Sequence, residues 1–252
     1  MDIEKNIKQK LEEIEQIENI KIIMAVESGS RAWGVASPDS DYDVRFIYAR
    51  KKEDYLSLDE PRDVVEWQLD DVYDVNGWDL KKALKLLYKA NPSVFEWCTS
   101  PIVYRDTKEF NDLKELLPLY FNQKKSLYHY WHMAKTNYRE HIRAEQVKLK
   151  KYFYVLRPIL AAEWVLEYAT QPPMEFDRLV KAQLPDELRP VVDDLLEKKM
   201  AASEMGMAPR IDVLNEFIEK EIERIEEKAA SCEDKKVEWD ALNDYFRKIV
   251  MK

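Results

Sequence analysis

Glycine is scarce in this chain, with four in 252 residues, where average usage of about 7% would place roughly 18. So few glycines point to positions where the backbone must bend sharply or meet a ligand closely. Two of them fall in one stretch, Gly29-Ser30-Arg31-Ala32-Trp33-Gly34, and Gly77 lies in a short acidic segment downstream. Cysteine is nearly absent. Cys98 and Cys232 cannot form a disulfide framework and read as reduced thiols of a cytoplasmic protein. The three histidines, His129, His132 and His141, have no further ligands of suitable type nearby, which argues against zinc. Long apolar runs are missing. The longest, Ile22 to Val26, is far below the ~20 residues that span a bilayer, and Met1-Asp2-Ile3-Glu4-Lys5 holds no apolar signal core. The expectation is a soluble protein with no membrane partner. The formal charge of −9 excludes a general polyanion binder but leaves room for a local basic groove.

What is present supports a sizeable core. The hydrophobic share is 46%, with seven Trp and fourteen Tyr. Helical spacing of Ile3, Ile7, Leu11, Ile14 and Ile17 predicts a helix over 2–18. Ile20 to Val26 reads as a buried strand that runs into Glu27-Ser28-Gly29-Ser30, and Ser37-Pro38-Asp39-Ser40 as a turn. A strand follows over 43–49, with Val44, Phe46 and Tyr48 on one side and Asp43, Arg45 and Ile47 on the other. Residues 64–69 and 72–75 read as a hairpin across Asp70-Asp71, and Asp79 as the N-cap of a helix carrying Leu80, Ala83, Leu84 and Leu87. Beyond about residue 107 the pattern predicts helices at 107–117, 123–147, 148–169, 175–183, 186–204, 209–229 and 235–250, with prolines at or between their ends.

Asp41 and Asp43 are two apart. On a strand that spacing places both on one face, with Cα atoms about 6–7 Å apart. Their carboxylates can then converge on a pair of Mg²⁺ ions, which take a few carboxylates and fill their octahedra with water and phosphate oxygens. Arg45 continues the face and is placed to meet a phosphate or to orient an aspartate. A bare Asp-x-Asp carries little information in an acidic chain. The Gly29-Ser30 bend before it supplies the context, with backbone N–H groups and a hydroxyl free to bind phosphate. A third carboxylate is expected from a neighbouring strand. Asp74 is favoured for its strand-like setting, whereas Asp79 has an explanation as a cap and Asp70 and Asp71 as turn residues. Asp74 would share the metals and help deprotonate an attacking hydroxyl.

Gly29-Ser30, Asp41-x-Asp43 and Asp74 match the signature of the DNA polymerase β-like nucleotidyltransferase superfamily. The longer string from Glu27 to Gly34 and from Ser37 to Tyr48, with Asn76-Gly77-Trp78-Asp79-Leu80, Asn91-Pro92-Ser93, Glu96-Trp97 and Ser100 to Tyr104, resembles the RlaP-type predicted nucleotidyltransferases, a family associated with RNA repair. The resemblance is strongest over about residues 20–105 and continues through the helix carrying Lys151-Tyr152 and Arg157-Pro158. It implies an α+β protein, with a catalytic domain over 1–105 (a small mixed sheet with flanking helices) and an all-helical domain over 106–252 that completes a nucleotide and acceptor cleft. It further implies transfer of a nucleoside monophosphate from an NTP to a hydroxyl, with release of pyrophosphate. Two Mg²⁺ or Mn²⁺ ions would be held by Asp41, Asp43 and Asp74. Gly29 and Ser30 would grip the triphosphate, with Arg31, Ser40 and Arg45 also facing the nucleotide.

In the helical half, Lys150, Tyr154 and Arg157 recur at i, i+4 and i+7, beside Lys151. Such a face could stack a base and neutralise a triphosphate, and a packed amphipathic helix explains it as readily. The acceptor is open between RNA ends, a protein and a small molecule. Protein-adenylylating antitoxins share Gly-Ser-x-Ala-x-Gly and Ser-Asp-x-Asp but lack so large a helical half. Small-molecule transfer suits the acidic charge, and a non-catalytic nucleotide-binding regulator conflicts with three intact aspartates.

Overall fold

A computed structural model describes residues 3–70, 72–201 and 207–251. In chain order the elements are α1 (Ile3–Glu18), β1 (Lys21–Glu27), α2 (Gly29–Ala32), β2 (Tyr42–Ala49), α3 (Lys52–Tyr55), β3 (Val64–Asp70), β4 (Tyr73–Asp79), α4 (Leu80–Tyr88), α5 (Pro92–Cys98), β5 (Val103–Arg105) and α6 (Lys108–Tyr120). Then follow α7 (Gln123–Asn137), a π-helical turn (Tyr138–Ile142), β6 (Gln146–Lys148), α8 (Lys151–Tyr168), α9 (Phe176–Gln183), a 3-10 turn (Asp186–Leu188), α10 (Arg189–Ala201), β7 (Met207–Pro209), α11 (Asp212–Ser231) and α12 (Asp240–Val250).

These elements form two compact units. The first comprises residues 1–32, 41–120 and 236–252, and the second residues 33–40 and 121–235. A single cut at 105 does not describe this division, for identifiable reasons. Helix α6 packs on β1, α4 and α5, and α12 packs on α4 and α6. Within the same unit Tyr245 donates to the Glu109 carbonyl (2.7 Å), and Phe246 meets the Tyr55 ring edge-on at 5.1 Å.

The first unit is built on a five-stranded sheet of order β3-β4-β2-β1-β5. Only β2 and β4 pair in parallel; the other pairs are antiparallel. Ile7, Leu11 and Ile14 of α1 pack with Val44, Phe46 and Tyr48 of β2, as the alternation of that strand requires. Ile17 departs from the expected stripe and is 63% exposed, in the last turn of α1. The β2–β4 register pairs Asp43 with Asp74 and Phe46 with Gly77. A Cβ on Gly77 would lie 2.1 Å from the Phe46 ring, so the sheet tolerates only glycine there. Strand β4 runs directly into α4 through Asp79, whose carboxylate accepts the Lys81 N–H (2.7 Å) and the Tyr55 hydroxyl (3.0 Å). Asp79 is therefore the helix cap that its position predicted. Helix α6 continues through Pro118 to Tyr120 instead of ending at 117. Pro118 has no N–H to give the Lys114 carbonyl, and the helix ends two residues beyond it.

The second unit surrounds α8, a helix with apolar residues on every side, as befits the centre of a bundle. This half is helical, as expected, apart from the short β6–β7 ribbon. The expected helix over 123–147 stops as α-helix at Asn137, passes through the π-helical turn, and gives way to β6, which pairs antiparallel with β7. Buried Asn215 explains the break. Its Nδ2 donates to the Ile142 carbonyl (2.9 Å) and its Oδ1 accepts the Tyr152 hydroxyl (2.6 Å), so a side chain takes a carbonyl the helix leaves behind. Among the described residues no helix is long and apolar enough to cross a membrane.

Candidate active site

The site of the sheet unit begins where β1 ends. After Glu27 the chain turns through Ser28 into Gly29, whose φ is +57°, and α2 follows. A Cβ at Gly29 would come within 1.9 Å of Asp43 Oδ2. The sequence reading gave this glycine to an approaching phosphate. In the structure its bare flank is filled by the aspartate carboxylate. The Ser28 N–H donates to the Asp43 carbonyl at 2.8 Å, which ties the bend to β2. From α2, Arg31 Nε donates to the Asp41 carbonyl (3.0 Å) while its guanidinium lies 3.7 Å above the Tyr42 ring. The start of β2 is thus fastened to the bend on both sides, and Ser30 lies between these two ties.

Asp43 and Asp74 are neighbours in register on parallel strands. Arg45, on the same face as Asp43, unites them. Its Nη2 donates both to Asp43 Oδ1 (2.9 Å) and to Asp74 Oδ2 (2.7 Å), and its Nη1 donates to the Asp74 carbonyl (2.8 Å). The two carboxylates converge on a single cationic nitrogen. Burial raises the pKa of Asp43; Arg45 opposes this, and the negative charges of Asp74 and Asp41 add to it. Asp41 is exposed at the mouth of the strand. Among the described residues no three His, Cys, Asp or Glu side chains form a ready metal cluster. Asp41 therefore does not complete the expected trio in this arrangement. Of the other acidic candidates, Asp79 is a cap, Asp70 closes β3, and Asp71 lies outside the described residues.

Sequence reasoning passed over Glu27 as a site residue. It is fully buried, and its Oε1 accepts the Asp43 N–H at 2.7 Å while Oε2 accepts the Tyr104 hydroxyl. Burial pushes its carboxyl up to about 7, against the hydrogen bonds from Tyr104 and Asp43. The available signal was a lone carboxylate at the end of a strand buried on both faces.

The remaining candidates belong to the helical unit. Ser40 closes a tight turn: its Oγ accepts the Ser37 N–H (2.9 Å) and its N–H donates to the Ser37 carbonyl (3.0 Å). Lys150 precedes α8 as its N-cap residue, and Lys151 lies 5.1 Å from the centre of the Tyr154 ring. Tyr154 is half-exposed and edges onto Trp33 at 5.6 Å. Arg157 does not share that exposure. It is 1% exposed, donates from Nε to the Met174 carbonyl (3.3 Å) and lies 4.6 Å from the Trp33 ring centre. The spacing rule fails here because α8 is buried over most of its circumference, so a residue one turn beyond exposed Tyr154 can still be interior. Cys98 is buried, and burial pushes its thiol up to about 12, which fits a structural role.

A glycine bend joined to an Asp-x-Asp strand, with a third aspartate in register beside it, is the arrangement of polymerase β-type nucleotidyltransferases. The chain belongs to the RlaP family, described as an RNA repair pathway DNA polymerase beta family, whose profile matches residues 3–248. The uncharacterized protein YcgL of Bacillus subtilis (strain 168) is 45% identical over 236 residues, covering 93% of this chain and 91% of its own. A nucleotidyltransferase-like protein from Exiguobacterium sibiricum 255-15 aligns over 96% of this chain and 79% of its own, with 14% identity and a TM-score of 0.32.

Proposed function

We propose that the protein is a metal-dependent nucleotidyltransferase that moves a nucleoside monophosphate from an NTP to a hydroxyl at an RNA end, releasing pyrophosphate. The observation that carries this reading is the convergence of Asp43 and Asp74 on one cationic nitrogen beside the Gly29 bend. Oxygen ligands aimed at a point that already holds positive charge suit a hard divalent cation, Mg²⁺ or Mn²⁺. Asp43 and Asp74 would hold it, with Asp41 joining from the exposed strand end. Bound there, two such ions would neutralise triphosphate charge and acidify the acceptor hydroxyl. Arg45 has the reach and charge to leave the carboxylates for a phosphate oxygen. Arg31, whose Nε donates to the Asp41 carbonyl, and Ser30, which precedes it in α2, would supply further donors. The family description supports RNA as the acceptor.

The test incubates purified protein with each α-labelled NTP, Mg²⁺ or Mn²⁺, RNA with free ends, and a protein mixture. Label is expected on RNA. Asp41→Asn combined with Asp43→Asn is expected to lower transfer by roughly three orders of magnitude, as loss of several kcal/mol of metal stabilisation requires. Undiminished transfer by that variant overturns the metal site, and label on protein overturns the RNA acceptor.

A further inference from the structure

The backbone of Asp43 is held at both polar groups. Its carbonyl accepts the Ser28 N–H at 2.8 Å, and its N–H donates to Glu27 Oε1 at 2.7 Å. The second bond is unusual for a strand, because a side chain stands in the place of a ladder partner. Glu27 is itself fixed on every side. Its Oε2 accepts the Tyr104 hydroxyl, its carbonyl accepts Ser100 Oγ (2.6 Å), and its N–H donates to the Ile102 carbonyl (3.0 Å). Tyr104 lies on β5, the edge strand beside β1, and is 8% exposed. A fully buried carboxylate is costly unless its oxygens are satisfied, and here both are. An apolar residue would pack at this position without that cost, so packing alone gives no reason for a glutamate.

We propose that Glu27, oriented by Tyr104, is a positioning residue for Asp43: it sets the backbone of the aspartate so that its carboxylate projects over Gly29 toward Asp74. The bare flank of Gly29 gives Asp43 Oδ2 its room in this pose, and a backbone rotation at Asp43 would turn the carboxylate out of that space and away from the nitrogen it shares with Asp74. Two groups outside the reacting face thus fix a ligand on it, which is how partners behind a ligand tune affinity for a cation. This inference rests on the nucleotidyltransferase reading for its consequence, and on the Glu27–Asp43 geometry for its substance.

Three variants test it: Glu27→Ala, Glu27→Gln and Tyr104→Phe. Two readouts are taken on the full chain, amide exchange at Asp43 by NMR and Mn²⁺ affinity by electron paramagnetic resonance. Glu27→Ala is expected to speed Asp43 exchange and weaken Mn²⁺ binding by roughly tenfold or more. Glu27→Gln keeps an oxygen acceptor for the Asp43 N–H and is expected to recover most of both losses. A merely structural role would not give that rescue at equal stability. Tyr104→Phe removes one hydroxyl with little change of volume; it remains informative if Glu27→Ala fails to fold, and is expected to give a partial loss. Unchanged Asp43 exchange in Glu27→Ala, or in Tyr104→Phe if the former does not fold, overturns the proposal. Loss of Mn²⁺ binding by the unmodified protein would instead overturn the metal reading, while the exchange measurement still decides the role of Glu27.

Discussion

Gly29 and Gly34 both hold positive φ, +57° and +74°, but their surroundings differ. A Cβ at Gly29 would strike the Asp43 carboxylate, whereas at Gly34 nothing lies within 4 Å. Gly34→Ala is therefore expected to cost only the left-handed strain of a non-glycine residue, about 1–2 kcal/mol, with nucleotidyl transfer unchanged. Gly29→Ala adds displacement of Asp43 and is expected to reduce transfer and Mn²⁺ affinity at least tenfold. Chemical denaturation and activity measured on both variants check the contrast; equal effects on activity would mean that the Asp43 contact is immaterial. Sequence reasoning found this glycine by its rarity and by the Asp-x-Asp that follows. It could not name the neighbour, because the meeting of residues 29 and 43 depends on how β1 and β2 pair. Glu27 was hidden for the same reason. Its partners Asp43 and Tyr104 lie on two different strands, and no spacing along the chain points to either.

At the level of elements, local chemistry was legible and long-range placement was not. Asp79 was readable as a cap because capping is settled within a few residues. Asp74 could be preferred as a strand residue, but its register with Asp43 comes from the parallel β2–β4 ladder. The end of α7 was missed because a distant side chain, Asn215, supplies the competing hydrogen bond. The segment over 33–40 is a further case. It reads as a loop, yet the helical unit grips it: the Phe176 N–H donates to the Trp33 carbonyl at 2.9 Å, and Lys199 of α10 donates to the Val35 carbonyl at 2.5 Å. Lys199 is 6% exposed, and burial, with the nearby charge of Lys150, lowers its pKa from 10.5 to about 8. Below pH 8 the folded and unfolded chains both carry this proton. From about 8 to 10.5 the unfolded chain keeps it and the folded chain loses it, so the contribution of Lys199 to stability rises with pH. The stability difference between the unmodified protein and Lys199→Met, followed by urea unfolding across that window, is expected to shift in favour of lysine by at most about 1.4 kcal/mol per pH unit. A flat difference would mean that Lys199 titrates like an exposed lysine.

At the scale of the whole molecule, the sheet unit is assembled from separated stretches of chain. Residues 236–252 return to it after the entire second unit has been threaded. Composition gave no sign of this, since α12 has the same amphipathic pattern as its neighbours in sequence and only packing assigns it. Leu242, Tyr245 and Ile249 of α12 are buried, and Lys248 pairs with Asp112 of α6 at 2.6 Å. The exposed ion pair contributes little. Burying three large side chains is worth about 1.5–3 kcal/mol each, which together approaches the 5–15 kcal/mol that stabilises a typical domain. Deleting residues 236–252 is accordingly expected to unfold or severely loosen the sheet unit while sparing the core around α8. Hydrogen exchange read by mass spectrometry separates these outcomes, because peptides from β1, α4 and α6 should lose protection while peptides from α8 keep theirs. Equal loss in both sets would show that the two units unfold as one, and full protection in both would show that α12 is dispensable. If the division holds, a catalytic fragment cut at residue 105 is expected to fail even though it contains every candidate metal ligand. It would lack α6, which packs on β1, α4 and α5, and α12, which packs on α4 and α6, so that α4, the helix seated on the strands that carry Asp43 and Asp74, would lose its cover.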